Sequence, residues 1–423
     1  MKPCDEGRAA EGAARLAGAR VLLLVPARTY RAADFIAAAA RLGLDLVIGS
    51  DGALPLGGFP VVHADPGDLD RSASRLVAAS APVGAVVAAD TPMLVLAATV
   101  AARLGLAHNL VEAVIAAADK AQQRRRWVQA AVPQPAFRIV PAAASEASLR
   151  QAAARVGFPC VVKAVSLSAS QGILRADDPA GAVVAAGRIR RILATAGRPG
   201  HEPLLIEEYV PGQELSIDGL LDGGDLAVTA VFDKPGTPEG PTFEETVLIT
   251  PSRLPGPVVS AAVRTAEQAA GALGLRYGPI HAELRIDDRR SRARPLMLEL
   301  AARSIGGLCS RALRFPGGQS LEELVLANAL GQRLSPRRLP ETSGVLMLPI
   351  DRPGVLQAVH GRAEAAAVPG ITGLTVTISI GQPVQPLPEG DRYLGFVFAE
   401  GESYQQVERA LGAARERLRV VVR

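Results

Sequence analysis

The chain has 423 residues, enough for two to four domains at roughly 150 residues each, and its 48% apolar and 21% charged fractions are those of a globular protein. No apolar run approaches the ~18 residues of a membrane span, which argues against a membrane partner. A net charge of +4 with nine Phe, five Tyr and one Trp offers little to grip or stack a nucleic acid, so that partner is set aside too.

Residues 1–19 mix acidic residues with Arg and Ala, lack a signal-peptide core and read as a flexible N-terminus. From 20 to 118, VLLLV (21–25), a helix over 32–42, LDLVIG (44–49) and GAVVAAD (84–90) give the βαβ rhythm of a parallel sheet. No GxGxxG follows the first strand, so this Rossmann-like unit has no dinucleotide loop. From 119 to 339 a basic helix (AQQRRRWVQAA) leads into an inserted lobe at about 135–210, with strands FPCVVKAV (158–165) and PLLIEEYV (203–210). LSIDGLL (215–221) and LAVTAVF (226–232) then predict a hairpin about Asp222, Gly223 and Gly224. A helix over 258–273 and the strands HAELRI and RPLMLEL complete an antiparallel core. Residues 340–423 predict a closing β-rich domain, with strands near 344–350, 373–380 and 393–398 and a helix over 402–417.

Cys4, Cys160 and Cys309 lie far apart in no CxxC or disulfide pattern, which fits a reducing cytoplasm. Lys2, Lys120, Lys163 and Lys234 are the only lysines in a chain that otherwise uses arginine. Genomic base composition produces such a bias wherever Arg will serve, so a surviving interior lysine marks a place that needs a compact ammonium ion.

Alternation puts His281, Glu283 and Arg285 on one strand face, and Met297 with Glu299 on one face of the next strand. Paired as a hairpin, these strands would bring Glu283 and Glu299 to about 5 Å between Cβ atoms. Facing carboxylates repel, so a proton or a cation must sit between them, and Mg²⁺ held with nucleotide phosphates suits an all-oxygen site. Two glutamates on a solvated sheet face fit the alternation as well. Lys163, within a strand buried on both faces, needs a counter-ion, and a phosphate is one such partner. The SLSASQGI segment after it can fold amides and hydroxyls over phosphate oxygens, although any loop contains such residues. EEYVPGQE can offer backbone groups to an adenine edge and Glu214 to a ribose, or form a plain turn. Arg303, four residues beyond Glu299 and followed by Gly306 and Gly307, can clamp a phosphoryl group or lie on the surface. Neither GxxxxGK[ST] nor HExxH nor GxSxG occurs.

The order Lys120, Lys163 with its small-residue loop, EEYVPGQE, HAELR, LELAARSIGG resembles the ATP-grasp superfamily, in its biotin carboxylase-like branch and there the L-amino-acid ligases. The resemblance implies α/β and α+β architecture: a Rossmann-like pre-ATP-grasp domain, the ATP-grasp domain with its lid lobe, and a C-terminal β-rich domain. It makes Lys120 and Lys163 phosphate ligands, with Lys163 also catalytic, and places Ser168, Ser170 and Gly172 in a mobile lid. Glu207, Tyr209 and Val210 would line the adenine pocket, Glu214 the ribose, and Glu283 and Glu299 would hold Mg²⁺ or Mn²⁺. Arg303 would steady an acyl phosphate, while Glu245, in FEETVLITP, His281 and Gly306 would face substrate. Ala301 stands where many relatives have Asn, a form the amino-acid ligases share, so metal binding would survive with fewer ligands; Leu248 stands where those ligases often have His, which leaves the amino substrate open.

The implied activity is ATP-dependent joining of a small carboxylic acid to a small amine or amino acid, with release of ADP and phosphate; a homodimer is an allowed assembly. Biotin carboxylase-like carboxylation, a purine-pathway type of ligation and nucleotide binding without turnover are the alternatives.

Overall fold

The computed structural model describes residues 16–54, 59, 61–198, 202–236, 239–289, 293–332, 336, 338–339 and 341–423. Most of the expected flexible N-terminus, with Lys2 and Cys4, lies outside the described residues, as do 290–292 of the loop between the two glutamate strands.

Strands β1 (Arg20–Leu24), β2 (Asp45–Ser50), β3 (Val61–His63) and β4 (Ala85–Ala88) form a parallel sheet in the order β3-β2-β1-β4. The unbroken apolar run of β1 follows from helices covering both faces. Val21 and Leu23 pack with Phe35 and Ala38 on one side, and Leu22 and Leu24 with Leu76 and Leu96 on the other.

The lid lobe is a second sheet of β5 (Phe137–Val140), β6 (Cys160–Ala164), β7 (Ile173–Ala176) and β8 (Leu204–Glu208), antiparallel in the order β5-β8-β6-β7. Helices Glu146–Val156 and Pro179–Thr195 cover one face. The caps Ser145 and Asp178 start these helices by accepting from Ser148 and Gly181 amides at 3.2 and 2.7 Å. Val162, Ala164, Leu174, Leu204 and Ile206 point into that helical core, so Val161, Lys163, Leu205 and Glu207 turn to the opposite face.

The central sheet begins with β9 (Glu214–Asp222), β10 (Asp225–Lys234), β11 (Val247–Thr250), β12 (Gly278–Asp287) and β13 (Arg294–Ala301). Its continuation falls in the C-terminal region, which holds β14 (Thr342–Leu348), β15 (Gly354–His360), β16 (Ile371–Val376), β17 (Pro383–Val384), β18 (Gly395–Gly401) and β19 (Arg419–Val422). Eight of these strands make one antiparallel sheet, β13-β12-β9-β10-β11-β14-β18-β16, while β17-β15-β19 forms a small separate one. The C-terminal region is therefore joined through β11 and β14 to the same sheet as the glutamate strands.

Helix Gly256–Leu273 packs its Ala262, Ala266, Ala269 and Ala270 against Leu215, Ile217, Ala282 and Leu284. Those strand residues leave Glu214, Ser216 and Asp218 of β9, and His281, Glu283 and Arg285 of β12, on the other face, beneath the lid lobe. The alternation expected in β13 breaks, because Glu283 pairs with Glu299 but Leu284 pairs with Met297, which makes Leu298 a bulge. Met297 consequently turns into the helical core instead of sharing a face with Glu299. Among the described residues no helix is long and apolar enough to cross a membrane.

Candidate active site

Between the lid sheet and the central sheet lies a cleft of about 530 Å³, lined by Val161, Lys163, Ser170, Ile173, Glu207, Glu208, Tyr209, Val210, Glu214, Phe243, Glu245, Glu283, Arg285, Leu298 and Glu299. Nine of the expected site residues thus share one cavity. Its lining is mixed: Val161, Ile173, Leu298, Tyr209 and Phe243 give apolar walls, and Glu208 and five further carboxylates, with Lys163 and Arg285, give charged ones.

Lys163 already has a counter-ion. Its Nζ lies 2.7 Å from Glu207 Oε2, and the Arg124 guanidinium holds the other Glu207 oxygen. Burial alone would raise the Glu207 carboxyl, but Arg124 and Lys163 outweigh it and hold the group down to about 2. Glu207 borders the cleft, as expected of a pocket wall, and is also the counter-ion of the buried Lys163. The hinge also carries bonds within the chain. The Tyr209 N–H donates to Pro159 O at 3.2 Å and the Val210 carbonyl accepts from Arg285 at 2.8 Å, since buried backbone groups must be paired. Arg175 and Arg285 lie over the Tyr209 ring at 4.6 and 5.2 Å from its centroid, fixing the hinge side chain.

Glu283 and Glu299 are direct cross-strand partners, and both line the cleft. They coexist because each has a cation on its flank. Lys120, at the N-terminus of helix Lys120–Gln129, reaches Glu299 Oε1 at 3.0 Å and the Leu167 carbonyl at 2.5 Å. Glu283 Oε1 lies 3.3 Å from His281 Nε2 and 3.5 Å from Lys234 Nζ. Burial opposes ionisation of Glu283, yet Lys234 and His281 keep its carboxyl well below the usual range. His281 in turn is lifted to about 9: burial works against the charged ring, but Asp218, 3.1 Å from Nδ1, and Glu283 win. At neutral pH both ring nitrogens therefore donate. The expected repulsion between the glutamates is offset by these side-chain cations. The donor set still fits a hard divalent cation: adjacent carboxylates, oxygen only, open to a cavity that also holds Lys163.

Three more expected residues belong to the lid loop. Ala169 and Ser170 both adopt left-handed backbone, at φ of 55° and 58°, a strained arrangement of the kind found at ligand clamps. Gly172 has φ 65° and its N–H donates to the Pro388 carbonyl at 3.1 Å; a Cβ there would stand 3.1 Å from Leu167 and 3.2 Å from Ala164. Ser168 accepts at its carbonyl from the Gln171 N–H at 3.1 Å and does not line the cleft.

Arg303, His281, Lys120 and Gly306 lie outside the cleft lining. Arg303 is turned to the N-terminal sheet, with Nε 2.9 Å from Thr91 Oγ1 and 3.7 Å from Asp90 Oδ1, and Nη1 donates to its neighbour Ser304 O at 2.9 Å. Beside it the buried Arg31 bonds Ala89 O at 2.6 Å and Ser304 Oγ at 2.5 Å, clasping the end of β4 to the segment after β13. This clasp was missed because its two halves lie 273 positions apart. Arg285 was visible in the alternation of HAELRI, whereas Arg124 sits in an RRR run where nothing local separates it from its solvated neighbours.

Residues 156–312 match the family described as the ATP-grasp domain, and residues 346–423 match L-amino acid ligase C-terminal domain 2. A D-alanine–D-alanine ligase of Gloeobacter violaceus is 31% identical over 47% of this chain and 63% of its own length. An alanine–anticapsin ligase of Bacillus subtilis is 28% identical over 48% of this chain and 45% of its own. The chain thus spans less than two thirds of the length of these curated relatives. The crystal structure of an L-amino acid ligase from Bacillus licheniformis superposes with a TM-score of 0.81 at 24% identity, covering 95% of this chain and 98% of that one, a likeness of fold. The chain therefore carries an ATP-grasp domain over 156–312, followed by an L-amino acid ligase C-terminal domain over 346–423.

Proposed function

We propose that the chain is an ATP-dependent carboxylate–amine ligase acting on amino acids or similarly small substrates in the cytoplasm. One observation carries this reading: a single cleft between the lid and central sheets collects Lys163, the Glu283–Glu299 pair and apolar walls from Val161, Ile173, Tyr209, Val210 and Leu298. The ligase C-terminal domain favours amide formation over carboxylation.

In this reading Tyr209, Val210, Val161, Ile173 and Leu298 surround the base, and Glu214 meets the ribose. Lys163 and Lys120 spread the charge of the transferring phosphoryl group, and Glu283 with Glu299 would hold Mg²⁺ or Mn²⁺. A bound divalent ion supplies charge neutralisation at the phosphates. The substrate carboxylate attacks the γ-phosphorus and ADP leaves; the amine then displaces phosphate from the acyl phosphate, giving an amide. Arg303 would release Thr91 to steady the acyl group, and Glu245, His281 and Gly306 would face substrate. The lid keeps water from an intermediate that would otherwise hydrolyse.

The test is to screen pairs of amino acids and other small acids and amines for ADP release, with mass spectrometry of the products. With the cognate acid and no amine, hydroxylamine should trap a hydroxamate. Formation of AMP and pyrophosphate would mean an adenylate and overturn the mechanism.

A further inference from the structure

Lys234 ends β10 opposite Glu214 in the β9 register, and the ligase reading gives it no role. It is buried, yet its Nζ meets three carboxylates: Glu214 Oε1 at 2.8 Å, Glu245 Oε1 in a shorter contact, and Glu283 Oε1 at 3.5 Å. Those carboxylates offer oxygens that all lie within 4.8 Å of one another, a spacing at which a cation can bridge them. A side pocket of about 290 Å³, lined in part by Glu214, Lys234, Phe243 and Glu245, opens beside the main cleft.

We infer that Lys234 is a positioning residue: a tethered cation seated among Glu214, Glu245 and Glu283, which aims Glu214 and Glu283 into the cleft and keeps the trio from taking up a divalent ion of its own. The inference rests on the nucleotide-ligase reading for what Glu214 and Glu283 do, but the exclusion of an ion follows from charge alone. Three carboxylates face Lys234, Arg285, which lies 2.9 Å from Glu214 Oε2, and His281, 3.3 Å from Glu283 Oε1; without the ammonium one carboxylate is left unmatched, a negative charge that a hard cation relieves. The identity of the residue follows from shape. A point ammonium can meet three oxygens from different directions, whereas a planar guanidinium offers its donors in a fixed fork. That is why lysine persists here in an arginine-rich chain. Of the four lysines, the three within the described residues, Lys120, Lys163 and Lys234, all pair with glutamates that line this cleft.

The test counts Mn²⁺ by electron paramagnetic resonance on folded protein, first without nucleotide and then with ADP. Lys234→Met should bind one Mn²⁺ more than the parent chain without nucleotide, and adding Glu245→Gln should remove it. Lys234→Arg should keep the parent's Mn²⁺ count but lose ADP affinity by ~10-fold or more, as when a group orienting metal ligands is changed. A folded Lys234→Met with the parent's Mn²⁺ count overturns the inference; where that variant does not fold, Lys234→Arg with parental ADP affinity overturns it. If the parent chain itself binds no adenine nucleotide, the ligase reading fails, while the extra Mn²⁺ in Lys234→Met still decides the exclusion of the ion.

Discussion

Two of the lid lobe's attachments to the rest of the molecule are built differently. On the inner side Arg124 and Glu207, 0% and 1% exposed, meet Lys163 in a buried ion network, and Arg124 also donates to the Leu298 carbonyl at 2.6 Å. On the outer rim Arg188 grips Glu389 with two bonds of 2.5 and 2.9 Å, but both side chains are about a third exposed, at 39% and 32%. Breaking a buried pair by removing one partner costs on the order of 3–5 kcal/mol, whereas an exposed pair is worth roughly 0.2–1 kcal/mol. The lobe is therefore fixed along its inner edge and fastened lightly at its rim.

The largest effect should come from the inner attachment. Glu207→Gln leaves Arg124 and Lys163 without their shared counter-ion and should lower unfolding free energy by about 3 kcal/mol, measured by urea titration. The sign with pH is fixed by the depressed carboxyl. Glu207 stabilises fully above the unfolded carboxylate range near pH 4.3, and that contribution fades as pH falls towards 2. The parent should lose stability steeply between pH 5 and 3, and the variant less so; equal slopes would place the acid sensitivity elsewhere.

A second break separates lid from floor at Lys120, which joins the Leu167 carbonyl to Glu299. Glu299→Gln keeps the shape and an acceptor for Lys120 but removes a charge facing the cleft. Turnover at saturating Mg²⁺ should fall at least ~100-fold, about the loss seen when one group stabilising transition-state charge is removed, with the melting temperature nearly unchanged. Parental turnover at low Mg²⁺ in this variant would remove Glu299 from the metal site. Arg303→Ala should come next, with a loss in kcat of ~100-fold and little change in ADP affinity. Because Arg303 also holds Thr91, Arg303→Lys is the control: recovery of rate would point to the clasp and not to a bidentate contact with substrate.

How far this comparison was legible in the sequence depends on the distance over which each signal acts. The strands and their order were readable because period-two alternation is local: HAELRI displayed His281, Glu283 and Arg285 together, and the structure keeps them so. The bulge at Leu298 was not, because PLMLEL alternates perfectly on paper and only pairing with β12 shows that an extra residue is accommodated. β15 and β19 escaped notice: a turn signal at Pro353 and Gly354 does lead into GVLQAVH, but neither that segment nor RVVV alternates cleanly between apolar and polar residues. The continuity of the central sheet across β11 and β14 was equally hidden, since a sheet edge is closed by a partner nearly a hundred residues away and not by anything in VLIT itself. Charges behaved in the same way. That Lys163 needs a counter-ion followed from burial alone, but that Glu207 supplies it, and Arg124 braces it, depends on the antiparallel pairing of β6 with β8 and on a helix that precedes both.

The smallest expected effect tests the rim. Glu389 holds Arg188 with its carboxylate and Gln171 with its carbonyl at 2.8 Å, while the Pro388 carbonyl accepts from Gly172, so residues 388–389 touch both the lid loop and the lid helix. Arg188 keeps the Glu389 carboxyl below its ordinary value, but the pair's exposure lets salt screen it. Glu389→Ala should cost no more than ~1 kcal/mol in global stability, since only the side-chain pair is lost. Its effect should appear instead as faster amide hydrogen exchange over 166–173 and as ATP consumed without amide formed, because a lid that opens more often admits water to the acyl phosphate. Raising salt should move the parent chain in the same direction and leave the variant nearly unaffected. The exchanged pair Arg188→Glu with Glu389→Arg should restore coupling where each single reversal loses it. Unchanged exchange over the lid loop in Glu389→Ala would show that the rim contact is incidental, and the inner network would then have to hold the lobe closed by itself.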